Sequence, residues 1–331
     1  MRLLFIGDLT GNTGPANVNK LLIKYLPKNT MFLVGKNRIT RVFELFLKIR
    51  VADSVLFSGM SKINIIGLKL ANLFGVKSAY LMHGCRRIEG ELNHTYDHKS
   101  IETEDKVLDL TPKIICVSKH FMSWMKENYP QYERKITYVN NGVDWESLPV
   151  VSSEVKREQD TLMAVGGGLP LKNILTICKA IQLINQDEKM NLKLIVLGNR
   201  GKDLEEILSY SFVEYFPHVN HSEMPLYYQR AKLFVQNSKF ETFGLASIEA
   251  LINGCDLLLS NETGAKSIIS GLETSDIIYN TLDVAEISSK IKSVLIKSNN
   301  KKLLNSIDHE ETSVESSVKR IKAILYNRYE E

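Results

Sequence analysis

Residues 231–254, AKLFVQNSKFETFGLASIEALING, decide how this chain is read. Leu233 to Val235 form a short apolar run that predicts a buried strand. A polar turn follows, and Leu245, Ile248 and Ile252 then recur at helical spacing until Gly254 ends the helix. Two carboxylates frame that helix. Glu241 stands in the loop before it, and Glu249, four residues after Leu245, falls on or beside the face the apolar residues turn inward. A carboxylate taken from water needs hydrogen-bond donors, and a ribose diol offers two. Between the acids, the backbone N–H groups around Thr242, Phe243, Gly244 and Leu245 make the positive end of a helix. Phosphate binds readily there, and Gly244 permits close approach. Strand, loop acid, helix start and helix acid together read as a clamp for a nucleotide sugar.

The pattern repeats on either side of this unit. TLMAVGGG leads to a helix from Asn173, LKLIVLGN to a helix over 203–211, and VEYFPH to a helix through MPLYYQRA. CDLLLSN follows the clamp, with mostly helical sequence from 283 onward. The first half alternates in the same way. RLLFIGDL (2–9) is a near-continuous apolar strand of the kind buried on both faces of a parallel sheet. TMFLVG precedes a helix over 37–50, SVLFSG a helix over 61–74, and PKIICVS a helix over 119–128; KSAYLMHG and KITYVNNG add two more strands. Such alternation predicts an α/β protein with doubly wound sheets. The polar stretch PVVSSEVKREQD (149–160) reads as a connection, giving domains over 1–150 and 151–312 and a terminal amphipathic helix over 313–331.

A chain of 331 residues suits two domains, and 44% hydrophobic with 24% charged residues is an ordinary globular composition. No apolar run is long enough to span a bilayer, and MRLLFIGDLT enters a strand rather than a signal peptide, so a cytoplasmic protein is expected. Cys85, Cys116, Cys178 and Cys255 are dispersed without a CxxC pair and read as reduced packing residues. Net charge is +4, but residues 1–150 carry 21 Lys and Arg against 14 Asp and Glu, and the remainder 21 against 24. The basic half suits acidic lipid headgroups or a pyrophosphate-bearing acceptor. Nucleic acid is not expected, since no binding module accompanies the charge.

The string ETFGLASIE has the E-x7-E form of retaining glycosyltransferases of the family-four type, and the chain resembles that family over nearly its whole length. The resemblance implies a GT-B fold, two Rossmann-like domains with a cleft between them. It implies a nucleotide-sugar donor, here a UDP-sugar, and transfer of a hexose or N-acetylhexosamine to a lipid-linked saccharide in capsule, O-antigen or exopolysaccharide assembly. VGGGLPLKN (165–173) aligns with the family pattern V-G-R-x4-K-[GN]. Lys172 thereby takes the position of the lysine that neutralises the leaving diphosphate, while the family's arginine is replaced by Gly167. Either Arg200 or Lys239 supplies the missing cation, or the site is weakened. His83, at the end of KSAYLMHG, falls on the family histidine that lies under the donor sugar, and NGVD (141–144) resembles the turn that closes the first domain.

Gly11 and Gly14, in the turn after the first strand, correspond to a loop whose N–H groups face donor phosphates or acceptor. An ordinary tight turn explains them equally well. Their spacing is not GxGxxG, so NAD is not implied. Arg86 and Arg87 are candidates for an anionic acceptor or donor phosphate, and Phe216, Pro217 and His218 for the surroundings of the base. His94 and His98 read as solvated residues of a polar loop. No Asp-x-Asp stands at a strand end, so no metal and no cofactor are expected. Two other classes fit the fold: a non-catalytic subunit that supports a partner enzyme, and a sugar-nucleotide epimerase. KNRITRVFELFLKIR (36–50) has five basic residues against one acid and a broad apolar stripe through Val42, Phe43, Leu45, Phe46, Leu47 and Ile49. Packing on the sheet accounts for such a stripe, and so does peripheral contact with an anionic membrane.

Overall fold

A computed structural model describes residues 2–11, 13–147, 156–188 and 190–326. The chain divides into two units, the first within 1–88, 96–144 and 309–331 and the second within 89–95 and 145–308. The expected boundary at 150/151 and the connection over 149–155 lie outside the described residues. The end of that stretch, Glu158 to Asp160, opens a strand instead.

In the first unit β1 (Leu3–Ile6), α1 (Gly14–Tyr25), β2 (Met31–Phe32), α2 (Arg38–Val51), β3 (Ser54–Ser58), α3 (Lys62–Leu73) and β4 (Lys77–Met82) follow one another. Next come α4 (Arg86–Leu92), whose residues from Glu89 on are grouped with the second unit, α5 (His98–Leu110), β5 (Ile114–Cys116), α6 (Lys119–Asn128) and β6 (Ile136–Tyr138). The six strands are parallel in the order β2-β1-β3-β4-β5-β6. β1, β3 and β5 are buried along their full length, which is why their sequences run apolar without alternation. Thr13, Asn37, Ser61, Asp97 and Ser118 each accept an N–H of the helix they precede, so the starts of α1, α2, α3, α5 and α6 are written in the sequence.

One expectation holds only in part. His94, at φ +52°, lies in the loop that joins α4 to α5 and both histidines are exposed, but His98 is the first residue of α5 rather than part of that loop. The inward face of α5 carries Ile101, Glu104, Val107 and Leu108. The buried Glu104 interrupts the apolar count by which such a helix is recognised.

The second unit contains β7 (Glu158–Val165), α7 (Ile174–Asp187), β8 (Lys193–Leu197), α8 (Leu204–Leu208), β9 (Val213–Phe216), α9 (Met224–Arg230) and β10 (Ala231–Gln236). It continues with α10 (Leu245–Ile252), β11 (Asp256–Ser260), β12 (Ile277–Ile278), α11 (Val284–Ile296) and α12 (Asn300–Asn305). Its strands are parallel in the order β12-β11-β10-β7-β8-β9, the doubly wound arrangement of a dinucleotide-binding sheet. Leu162, Val196, Leu233, Val235 and Leu258 from the sheet pack with Ile177 and Ile181 of α7 and Ile287 and Ile291 of α11. Truncating one of these to Ala would cost about 2–5 kcal/mol.

α13 (Val314–Leu325) belongs to the first unit. It buries Val318, Ile321 and Leu325, and Ser317 Oγ donates to Asn140 O at 2.8 Å. The four cysteines are free and buried. Among the described residues, no helix is long and apolar enough to cross a membrane.

Candidate active site

In each sheet the strand order reverses beside the first strand, between β1 and β3 and between β7 and β10. In open α/β sheets ligands bind beyond the carboxyl ends of the strands at such points. The loops after β7 and β10 meet at the second of them. Lys172 Nζ lies 2.5 Å from Glu241 Oε2, and Gln236 Nε2, from the last residue of β10, donates to the same oxygen at 2.8 Å. The loop backbone is fixed as well: Glu241 N donates to Glu262 O, and Glu241 O accepts from Gly264 N. Lys172 lies against the backbone of Gly166, where an added Cβ would meet its Cγ at 2.3 Å. An ammonium has three donors and Glu241 takes one, so Lys172 is held in place with capacity to meet further oxygens.

Two helices start beside this pair. α7 begins after Asn173 at φ +52°, α10 after Gly244 at φ +97°, and neither start has a side-chain cap. Both starts thus leave the positive end of a helix dipole without a side-chain acceptor, although the Ser247 N–H of α10 already donates to Gly244 O at 3.0 Å. Phe243 is buried beneath the start of α10, and Thr242 and Leu245 flank it at partial exposure. Gly244 is needed twice over. Its φ is left-handed, and a Cβ would stand 2.9 Å from Gln236 Nε2 and 3.1 Å from Glu241 Cγ.

Glu249 lies one turn into α10. The buried Tyr228 hydroxyl donates to its Oε2 at 3.0 Å, and His221 Nε2 stands 3.2 Å from Oε1. Burial, reinforced by the Glu249 carboxylate, holds the Tyr228 phenol well above its usual pKa, so it stays a donor. Phe216 ends the edge strand β9 and meets Tyr227 edge-on at 4.8 Å, and His218 is exposed in the loop beyond. The sequence reading missed Gln236, Tyr228 and His221, since nothing local distinguishes a polar residue at a strand end or in a helix as the partner of a distant carboxylate.

Gly167 sits where two loops close on each other. Its φ is +58°, and a Cβ would fall 2.0 Å from Asn199 O. In this conformation the position admits no arginine. Arg200 follows Asn199 directly and is exposed; Lys239 is half-buried, and its N–H donates to Leu171 O at 2.9 Å.

In the first unit the fold bears on three of the sequence candidates. The Gly11 N–H does not stand ready for a phosphate, because it donates to Asp8 Oδ1 at 3.0 Å alongside the Thr10 N–H at 2.9 Å. These two bonds hold the Asp8 carboxyl below its usual pKa, and the loop is already organised around an anion of its own. Gly14 opens α1 with open space where a Cβ would stand, so nothing in the fold demands glycine there. The Arg87 guanidinium is committed to Asp105 at 2.8 Å and to Tyr129, rather than offered to an anionic ligand. Arg86 is exposed, with its N–H bonded to both oxygens of Glu104 at 3.0 and 2.9 Å.

His83, just beyond β4, places Nε2 2.8 Å from Ser58 Oγ at the end of β3. Burial of the ring nitrogens lowers its pKa to about 4, so the imidazole is neutral. His83 belongs to one unit, and Lys172, Glu241 and Glu249 to the other.

Residues 151–310 match the family described as Glycosyl transferases group 1. The O-antigen chain mannosyltransferase B of Escherichia coli is 28% identical over 153 residues, 44% of this chain and 39% of that protein. The amylovoran biosynthesis glycosyltransferase AmsD of Erwinia amylovora is 26% identical over 256 residues, 70% of this chain and 64% of its own. Both alignments thus span less than two thirds of the relative's length. Among solved structures, HepE of Anabaena in complex with UDP-glucose has a TM-score of 0.74 at 11% identity, covering 99% of this chain and 100% of that one. WaaG, a glycosyltransferase involved in lipopolysaccharide biosynthesis, has a TM-score of 0.67 at 12% identity and covers 98% of each. At such identities the likeness is one of fold: two Rossmann-like domains of the GT-B type.

Proposed function

We propose that the protein, whose residues 151–310 match glycosyl transferases group 1, is a retaining glycosyltransferase that moves a hexose or N-acetylhexosamine from a UDP-sugar to a hydroxyl of a lipid-linked saccharide in surface-polysaccharide assembly. The observation that carries this reading is the Lys172–Glu241 pair, set at the switch point between two helix starts that lack side-chain caps. A diphosphate there is met by an ammonium and by two helix dipoles, a sufficient counter-charge without a metal. In our reading the acceptor hydroxyl attacks from the face the diphosphate leaves, and the departing phosphate takes its proton. Lys172 and the N–H groups at the start of α10 stabilise the leaving charge. Glu241 and His83 hold sugar hydroxyls, and Glu249 holds the ribose. UDP bound to HepE supports the choice of nucleotide, and the names of the curated relatives support the pathway.

Incubation with a panel of nucleotide sugars, with and without a lipid-linked saccharide, is the test. UDP release that rises with acceptor, with the anomeric configuration kept in the product, is expected. Binding without turnover in every combination would favour a supporting subunit, and turnover of the sugar nucleotide alone an epimerase; either result defeats the proposal.

We also place the protein on an anionic membrane surface through α2 and α3. Among the described residues sixteen large hydrophobic ones are exposed, and nine of these fall between Val34 and Phe74. In α2 only Leu45 and Ile49 are buried, so packing on the sheet does not consume the stripe, and Phe43 remains 64% exposed. Phe46 meets Phe74 at the end of α3 at 5.7 Å, joining the two apolar faces, and Arg50 lies over both rings. Lys48 is withdrawn from this surface, bonded to Glu44 and to Phe32 O. The only acid of α2 is thereby neutralised, and α3 has none. A two-fold contact between copies would set basic edge against basic edge, so anionic lipid is the better match. Co-sedimentation with anionic vesicles that weakens with salt is expected; no preference over neutral vesicles at low salt overturns it.

A further inference from the structure

Beyond the carboxyl ends of β1, β3 and β4, a line of polar side chains runs through the interior of the first unit. Asn19, on α1 and 1% exposed, donates through Nδ2 to Asp8 O at 2.9 Å. Ser58, at the end of β3, donates to Asn19 Oδ1 at 2.5 Å, and His83 Nε2 stands 2.8 Å from Ser58 Oγ. The hydrogens along this line can be counted. A backbone carbonyl only accepts, so the Asn19 amide must turn its NH₂ group to Asp8 and its oxygen to Ser58. That oxygen carries no hydrogen, so the single hydroxyl hydrogen of Ser58 goes to it. Ser58 then has only lone pairs left for the ring, and Nε2 must be the nitrogen that bears a proton.

We infer that Asn19 and Ser58 are positioning residues that hold His83 as the Nε2–H tautomer; its other nitrogen, Nδ1, is buried in this structure, so a ligand meets it only once the side chains around it part, and then only with Nδ1 as acceptor. The chemical partner this selects is a hydroxyl donating its hydrogen, as a sugar hydroxyl does. A carbonyl, ether or phosphate oxygen is refused. The inference rests on the reading of His83 as a sugar contact for its use, but not for its geometry. The same line ties the ring to the loop after β1, since Asp8 also organises the Thr10 and Gly11 N–H groups.

The test uses the full chain labelled with ¹⁵N-histidine and no ligand, with His83 signals assigned by their loss in His83→Gln. Long-range ¹H–¹⁵N correlation should show one tautomer, protonated at Nε2. Asn19→Leu frees the Ser58 hydrogen to point at the ring, and Ser58→Ala removes the partner. Both should bring in the Nδ1–H form while the melting temperature of the Ser58→Ala protein stays near wild type. Ser58→Thr, which keeps the hydroxyl, should restore the single form. An Nδ1–H ring or a mixture in the wild type overturns the inference, as does a pure Nε2–H form in both Asn19→Leu and Ser58→Ala. In turnover, Ser58→Ala should lower kcat about tenfold with little change in KM for the nucleotide sugar. If the NMR result holds but His83→Gln turns over normally, the tautomer assignment stands and the sugar role of His83 falls.

Discussion

Acid should weaken the first unit through His83. Burial lowers the pKa of this ring from the usual 6.5 to about 4. As pH falls below 6.5 the unfolded chain takes up a proton that the folded chain refuses until about pH 4, so stability intact above that window is lost on passing down through it. Between about pH 7 and about pH 4.5 the linkage amounts to about 2.5 kcal/mol, of a ceiling near 3.4 kcal/mol for the full shift. His83→Gln is the reference, because its amide N–H can still reach Ser58 but does not titrate. Other acid-sensitive groups act alike in both proteins and cancel in the difference. Urea unfolding would be followed by Trp124, on α6 of the first unit, in a Trp145→Phe background. Wild type should lose about 2.5 kcal/mol more than His83→Gln over this range. Equal losses would show that the folded ring titrates normally, and the neutral-imidazole reasoning would be wrong.

Lys172→Ala should lower kcat by roughly 10²–10³ while nucleotide affinity changes far less, and survival of turnover within a factor of about three would remove it from the leaving-group role. Glu249→Ala should weaken UDP binding in calorimetry without loss of fold, and Tyr228→Phe should do so in the same direction but less; unchanged affinity in both would refute the ribose assignment. Turnover should persist in EDTA, and abolition reversed by Mn²⁺ would contradict charge neutralisation by Lys172 and the helix starts.

The sheets were legible because parallel strands buried on both faces leave uninterrupted apolar runs such as LLFI and DLLLS. α5 was not, because Glu104 sits on its inward face, satisfied by the Arg86 N–H, although Asp97 as a cap and the spacing of Ile101, Val107 and Leu108 signalled a helix. In the site, Lys172, Glu241 and Glu249 stood out by motif. Gln236, Tyr228, Asn19 and Ser58 did not, since each matters only through a partner that another loop or strand delivers. The occupied Gly11 N–H was the exception. An Asp three residues before a Gly in a turn is a local signal for a carboxylate that caps the turn's own N–H groups.

Both carboxylates of the candidate site in the second unit are satisfied by the protein itself: Glu241 by Lys172 and Gln236, Glu249 by Tyr228 and His221. An isolated buried charge would be costly, so this pairing lets the site stand assembled before any ligand arrives. It also bears on where Lys172 acts. Tied to Glu241, its ammonium is partly neutralised, which damps the attraction for a diphosphate in the ground state. Its position is nonetheless fixed, and the donors it retains need no reorganisation when charge grows on a leaving oxygen. Interactions stronger in the transition state than in the ground state raise kcat rather than lower KM. Under the proposed function, the ion pair therefore suits Lys172 to departure of the nucleotide more than to its capture.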